Sequence, residues 1–254
     1  MARGRFKGIV FDLDGTLVDS NIDFRKMKSR MISLLEENGA PKGALTPELT
    51  NVVIMEKAEG FWEEQGKPQR ERRRLRDMIT RIMDEGEMEA VETLTALNGA
   101  PEAVHRLKEM GYKLAVLTRS HHDYAVKALQ KTDMIADFDI VLGRGETPQP
   151  KPYAEAMIHA AKLMGLRLDE VLLVGDHQID ATCALNARCL FIGVATGPRG
   201  DKSWEARPEV VLSSVAELPA FLESTKLISY RQFRPSRSQW KDRFLKGPIT
   251  HNSG

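Results

Sequence analysis

Short apolar runs rich in β-branched residues punctuate the chain at 8–11 (GIVF), 113–118 (KLAVLT), 139–143 (DIVLG), 170–176 (EVLLVGD), 189–194 (CLFIGV) and 209–214 (EVVLSS). Each is too short for a helix, and near-continuous apolar character fits strands covered on both faces. Between them lie stretches with helical spacing, such as 100–111 and 152–165, where Pro152 suits a first helical position and Gly165 a stop. Strands alternating with helices predict a parallel sheet with right-handed crossovers and helices on both faces, a three-layer α/β sandwich of Rossmann-like type.

Residues 20–98 break that alternation. They carry no strand pattern but long charged amphipathic stretches at 23–40 and 74–97, which predicts an inserted, mostly helical lobe. The expected division is a core of residues 1–19 and 99–225, a helical insertion of 20–98, and an extension of 226–254. No repeat of fixed period is visible. Met27, Met31, Met55, Met78 and Met83, with Phe61 and Trp62, read as helix packing inside the insertion. The arginines at 70, 72, 73, 74 and 76 spread over more than one helical face, which favours a solvated helix over a nucleic-acid stripe.

A hydrophobic content of 42% in 254 residues is enough for a substantial core. The net charge of +1 argues against whole-protein attraction to nucleic acid or membrane, and no run approaches the roughly eighteen apolar residues of a membrane span. The start is basic and then apolar, but carboxylates arrive before a signal-peptide core of usual length, so secretion is not expected. Cys183 and Cys189 form neither a disulfide framework nor a zinc pattern and read as reduced and packed, in a cytoplasmic protein.

The first strand ends in two aspartates one residue apart, Asp12 and Asp14. A carboxylate removed from water costs several kcal/mol or more unless compensated, so their place needs a chemical reason. In an open parallel sheet, ligands bind beyond the carboxyl ends of the strands. Asp12, Thr118 and Asp176 all end strands there, and Lys151 stands in the loop entering the 152–165 helix. Three carboxylates offer hard oxygen ligands suited to Mg²⁺, while a hydroxyl and an ammonium steady phosphoryl oxygens. The set points to phosphoryl transfer.

On these motifs the sequence resembles the haloacid dehalogenase superfamily, in the phosphoglycolate-phosphatase-like branch with a helical cap after the first strand. The residues are DLDGT at 12–16, Thr118 in LAVLTRS, Lys151 in PKPYAEAM, and GDHQID at 175–180. The resemblance covers roughly residues 6 to 220 and makes 20–98 a cap. It implies that Asp12 attacks phosphorus to form an aspartyl phosphate, and that Asp14 protonates the leaving alcohol and then activates water. It further implies Mg²⁺ held by Asp12, Asp176 and the Asp14 backbone carbonyl, with Asp180 orienting from behind. Thr118 and Lys151 would hold phosphoryl oxygens and nucleophile, and Gly15 and Thr16 would shape the loop that meets the phosphate. Dehalogenases and phosphonate-cleaving members lack the second aspartate, so Asp14 favours phosphate esters.

Two positions depart from the family habit: Arg119 where Asn is frequent, and His177 where Ser is. Arg119 offers a charge to the phosphate or to an acidic substrate group. The expected activity is a Mg²⁺-dependent phosphatase acting on a small phosphorylated metabolite such as phosphoglycolate, a sugar phosphate or a nucleotide. Two alternatives stay open: a phosphomutase on the same scaffold, and a non-catalytic polyanion-binding protein using its tail. His121 and His122, beside Asp123, read as the solvated opening of a helix. The tail 226–254 carries seven Lys or Arg against one Asp, interleaved with Tyr230, Phe233, Trp240 and Phe244. It reads either as a segment docked on the core or on a second subunit of a homodimer, which the aromatic spacing favours, or as a basic arm for a polyanion.

Overall fold

The computed structural model describes residues 6–197, 204, 206 and 208–225. With strands numbered in chain order, one sheet holds β1 (Gly8–Phe11), β4 (Lys113–Leu117), β5 (Ile140–Leu142), β6 (Val171–Gly175), β7 (Leu190–Val194) and β8 (Val210–Leu212). Its order is β5-β4-β1-β6-β7-β8, and every pairing is parallel. The chain builds outward from β1 through β4 to β5, then returns to the other side of β1 with β6. That reversal opens a crevice at the carboxyl ends of β1 and β6.

The sheet alternates with period two and both faces are buried. Ile9, Phe11, Leu114, Val116, Leu172 and Val174 face one apolar cluster with α4 (Ala100–Glu109), α5 (His122–Lys131) and α8 (Leu218–Thr225). Val10, Ala115, Leu117, Leu173 and Phe191 face a second cluster with α6 (Ala154–Leu163) and α7 (Gln178–Ala187). The three-layer α/β sandwich expected from the alternation is present.

The insertion contains α1 (Phe24–Glu37), α2 (Asn51–Glu64) and α3 (Gln69–Ala90). Asp23 caps α1 by accepting from the Lys26 N–H at 2.8 Å, and Thr50 caps α2 by accepting from Val53 at 3.3 Å. Met27, Met31 and Leu35 on α1, and Leu75, Ile79 and Met83 on α3, recur every four residues and are buried. Trp62 is fully buried among them, whereas Met55, Phe61 and Met78 pack at the margin, so these residues serve the core as expected. Arg70, Arg73 and Arg74 are exposed. Arg72 reaches back to the Lys67 carbonyl at 2.9 Å in the connection before α3, and Arg76 reaches Glu59 at 2.8 Å, tying α3 to α2.

Three local expectations need correction. Residues 95–96, placed in a helical stretch, form β3 (Thr95–Ala96), which pairs antiparallel with β2 (Val18–Asp19). This ribbon closes the two ends of the insertion and is too short to leave a period in the sequence. α3 ends at Ala90 to allow the ribbon, and begins at Gln69, directly after Pro68, rather than at 74. Pro152 does not open α6: Tyr153 is the N-cap, and Pro152 precedes it after a cis bond to Lys151. Residues 226–254, with their two readings, lie outside the described residues. Among the described residues no helix is long and apolar enough to cross a membrane.

Candidate active site

Asp12 follows β1 directly, and its N–H still donates to the Val174 carbonyl at 2.9 Å, so its side chain stands at the sheet's carboxyl edge. The chain then turns tightly, with the N–H groups of Leu17 and Val18 both donating to the Leu13 carbonyl. Gly15 takes φ +81° in this turn, and a Cβ there would lie 2.6 Å from Asp176 Oδ2. Only glycine fits both the left-handed backbone and the close approach. Thr16 Oγ1 donates to Asp176 Oδ1 at 3.1 Å, and Thr196 Oγ1 donates to the Gly15 carbonyl at 2.6 Å. The first loop is thereby laced to the segments that follow β6 and β7.

Lys151 joins two carboxylates. Its Nζ donates to Asp12 Oδ1 and to Asp180 Oδ1, each at 2.6 Å, and its side chain is only 3% exposed. Burial alone would lower the ammonium's pKa, but Asp12 and Asp180 outweigh it and hold the charge. Asp180, in the first turn of α7, also accepts from the His177 N–H at 3.2 Å. Gly175 makes room for it, since a Cβ there would sit 2.6 Å from Asp180 Oδ2.

Carboxylate oxygens of Asp12, Asp176 and Asp180 lie within 4.8 Å of one another. Burial, followed by the neighbouring Asp12, raises the pKa of both Asp176 and Asp180. Crowded hard-oxygen donors with suppressed ionisation fit a divalent cation, whose charge would relieve them. The Asp14 carboxylate is not in this group; for Asp14 the resemblance implies the backbone carbonyl instead.

Asp14 is engaged elsewhere. The Tyr124 hydroxyl donates to its Oδ1 at 2.6 Å and Ser120 Oγ donates to its Oδ2 at 2.8 Å. Burial pushes the Asp14 carboxyl up to about 6. Burial, then the adjacent Asp14, also raises the Tyr124 hydroxyl, keeping it a donor. Thr118 is buried, and its oxygen accepts from the Ser120 N–H at 3.1 Å.

Arg119 is half-buried, and no carboxylate pairs with it among the described residues. Burial, then Arg144, lowers its pKa, while Asp12 and Asp180 pull the other way. His177 caps α7, its Nδ1 accepting from the Ile179 N–H at 3.1 Å. His121 caps α5, and His122 Nδ1 lies 2.8 Å from Glu146 Oε2, so both histidines open the helix as expected.

Sequence reasoning passed over Ser120, Tyr124, Glu87 and Arg144. Glu87 lies on α3, 4% exposed, accepts from the His121 N–H at 2.8 Å and pairs with Arg144. The Arg144 N–H in turn donates to the Ser120 carbonyl at 2.8 Å. A signal for Glu87 was present: it continues the buried stripe of Leu75, Ile79 and Met83, where a carboxylate demands a partner.

Comparison with known proteins places this geometry. The chain matches the family model for haloacid dehalogenase-like hydrolases over residues 9–194. The phosphoglycolate phosphatase of Nitrosospira multiformis is 26% identical over 227 residues, covering 87% of this chain and 95% of the relative. The pyrophosphatase PpaX of Listeria innocua is 24% identical over 222 residues, covering 86% and 97%. Two crystal structures share the fold. CbbY from Rhodobacter sphaeroides, in complex with phosphate, has a TM-score of 0.60 at 15% identity, covering 84% of this chain and 96% of that one. A hydrolase from Pseudomonas syringae has a TM-score of 0.61 at 22% identity, covering 86% and 98%. Because the family match runs from β1 through β7 and takes in every motif residue from Asp12 to Asp180, the chain belongs to the haloacid dehalogenase-like hydrolases.

Proposed function

We propose that the protein is a Mg²⁺-dependent phosphatase that hydrolyses a small phosphate monoester through an aspartyl phosphate on Asp12. The observation that carries this reading is Lys151 held at 2.6 Å from both Asp12 and Asp180 beside a buried carboxylate cluster, with Asp14 fastened apart from it. That arrangement sets Asp12 against a buried ammonium and leaves Asp14, its carboxyl pushed up to about 6, as a group able to give and take a proton near neutral pH.

In the reaction, the Asp12 carboxylate attacks phosphorus as the ester P–O bond breaks, and Asp14 gives its proton to the departing oxygen. Asp14, now a carboxylate, takes a proton from the water that attacks phosphorus next. The bond between Asp12 and phosphorus breaks, phosphate leaves, and both residues return to their starting states. Lys151 and Thr118 steady the phosphoryl oxygens. Asp12, Asp176 and the Asp14 carbonyl would hold Mg²⁺, which supplies charge neutralisation between nucleophile and phosphoryl group.

Residues 20–98 act as a cap that shields the first step from water and selects substrate. The relatives' names include phosphoglycolate phosphatase and pyrophosphatase, whose namesake substrates pair a transferred phosphoryl group with a second anionic group. Arg119, which feels Asp12 and pairs with no carboxylate among the described residues, suits that second group. The test is a panel of phosphoglycolate, pyrophosphate, a hexose phosphate and a nucleoside monophosphate with Mg²⁺, scored for free phosphate and for isomerised product. Phosphate release that a chelator abolishes and Mg²⁺ restores is expected. Isomerised ester without net phosphate would replace this reading with a mutase.

A further inference from the structure

The grip on Asp14 is more than a convenience of packing. Both its oxygens are taken, by the Tyr124 hydroxyl at 2.6 Å and the Ser120 hydroxyl at 2.8 Å. Tyr124 is fully buried on α5, where a phenylalanine ring would fill the same volume, so its hydroxyl is there for a polar purpose. Ser120 sits in a loop fixed from two sides: the Arg144 N–H donates to its carbonyl, and Glu87 of α3 accepts from the next residue's N–H. The donors are thus themselves held.

We propose that Tyr124 and Ser120 are positioning residues that keep the Asp14 carboxyl out of the carboxylate cluster and reserve it for proton transfer. Asp14 lies only two residues from Asp12, and a side chain free to rotate would become one more oxygen ligand for a cation held by Asp12 and Asp176. A carboxylate turned into the cluster no longer faces the leaving oxygen. Two hydroxyl donors oppose that rotation. Hydroxyls also serve both protonation states, since each donates to the carboxylate and can turn to accept from the carboxylic acid. Protons balance as in the phosphatase cycle, on which this inference rests: Asp14 gives one to the leaving oxygen and regains one from water.

The experiment compares Tyr124→Phe and the double variant Tyr124→Phe/Ser120→Ala with the unaltered protein on p-nitrophenyl phosphate and on an alkyl phosphate. The quantity read is kcat/KM, which ends at phosphoryl transfer to Asp12 and so isolates the leaving-group step. Misplacing the acid should cost roughly 30-fold or more on the alkyl ester and less than about threefold on the aryl ester, whose leaving group needs no proton. Mg²⁺ alone is then titrated calorimetrically into each protein, and the double variant should bind it several-fold more tightly, Asp14 having joined the cluster. An equal loss on both esters, or unchanged Mg²⁺ affinity, would overturn the assignment. If the unaltered protein cleaves neither ester, the phosphatase reading fails, and the Mg²⁺ titration by itself supports or overturns the placement of Asp14.

Discussion

Lys151 Nζ stands 2.6 Å from Asp12 Oδ1, and both side chains are largely withdrawn from water, at 3% and 14% exposure. An ion pair in such a place adds little net stability while intact, because desolvation cancels most of its attraction, but removing one partner strands the other. Its value lies in holding Asp12, the nucleophile of the proposed reaction, in one orientation.

Replacing Lys151 by Met should therefore cost about 3–5 kcal/mol in urea denaturation of the metal-free protein, since Asp12 and Asp180 would face Asp176 with no cation among them. Turnover should fall by about a hundredfold or more, having lost a charge aimed at the phosphoryl oxygens. A stable Lys151→Met protein of near-normal kcat would remove Lys151 from the site.

Gly15→Ala tests the first loop. The left-handed φ of +81° costs an alanine about 1–2 kcal/mol, and the new methyl would press on Asp176. Mg²⁺ affinity should drop along with stability. Equal Mg²⁺ binding by the two proteins would show that the loop is not built around Asp176.

Arg119→Met tests substrate choice. The kcat/KM for phosphoglycolate or pyrophosphate should fall by about ten- to a hundredfold, while p-nitrophenyl phosphate should change by less than about threefold. Parallel losses would mean that Arg119 serves the transferred phosphoryl group instead.

The buried carboxyls set a dependence on pH. The Asp14 pKa is raised from 3.8 to about 6, so the folded protein holds this proton more firmly than the unfolded chain. That contribution to stability is present below about pH 4 and is lost as pH rises through about 6. Asp176 and Asp180 shift in the same direction. A cation held by Asp176 competes with the proton on that carboxyl, so the gain in melting temperature on adding Mg²⁺ should grow steadily from about pH 5 to pH 8. A Mg²⁺ effect independent of pH would argue that Asp176 is not among its ligands.

The sheet was legible because its strands are buried on both faces: GIVF, KLAVL and VLLVG stand out as apolar blocks, and each is followed at once by a candidate site residue, Asp12, Thr118 or Asp176. Asp12, Thr118 and Asp176 could be brought to one edge from strand order, and Lys151 from the loop that leads into the next helix. The β2–β3 ribbon escaped notice because two residues per strand carry no period. Ser120 and Tyr124 escaped for a different reason. A serine or a tyrosine near a helix start is ordinary in sequence, and only the turn that follows β4 aims both hydroxyls at Asp14. Arg144 is tied to the site through α3, which lies about sixty residues away in the chain, a distance that a reading of local pattern does not bridge.

The proposed mechanism turns on a covalent bond to Asp12, and one measurement addresses that bond. An Asp14→Asn protein, slow to lose the phosphoryl group because it lacks its base, is mixed with p-nitrophenyl phosphate and Mg²⁺, quenched in acid, digested and analysed by mass spectrometry. A single phosphoryl adduct on the peptide carrying Asp12, absent from the Asp12→Asn protein, is the result expected. An adduct on any other residue, or Asp12→Asn protein that keeps substantial phosphatase activity, would contradict the mechanism.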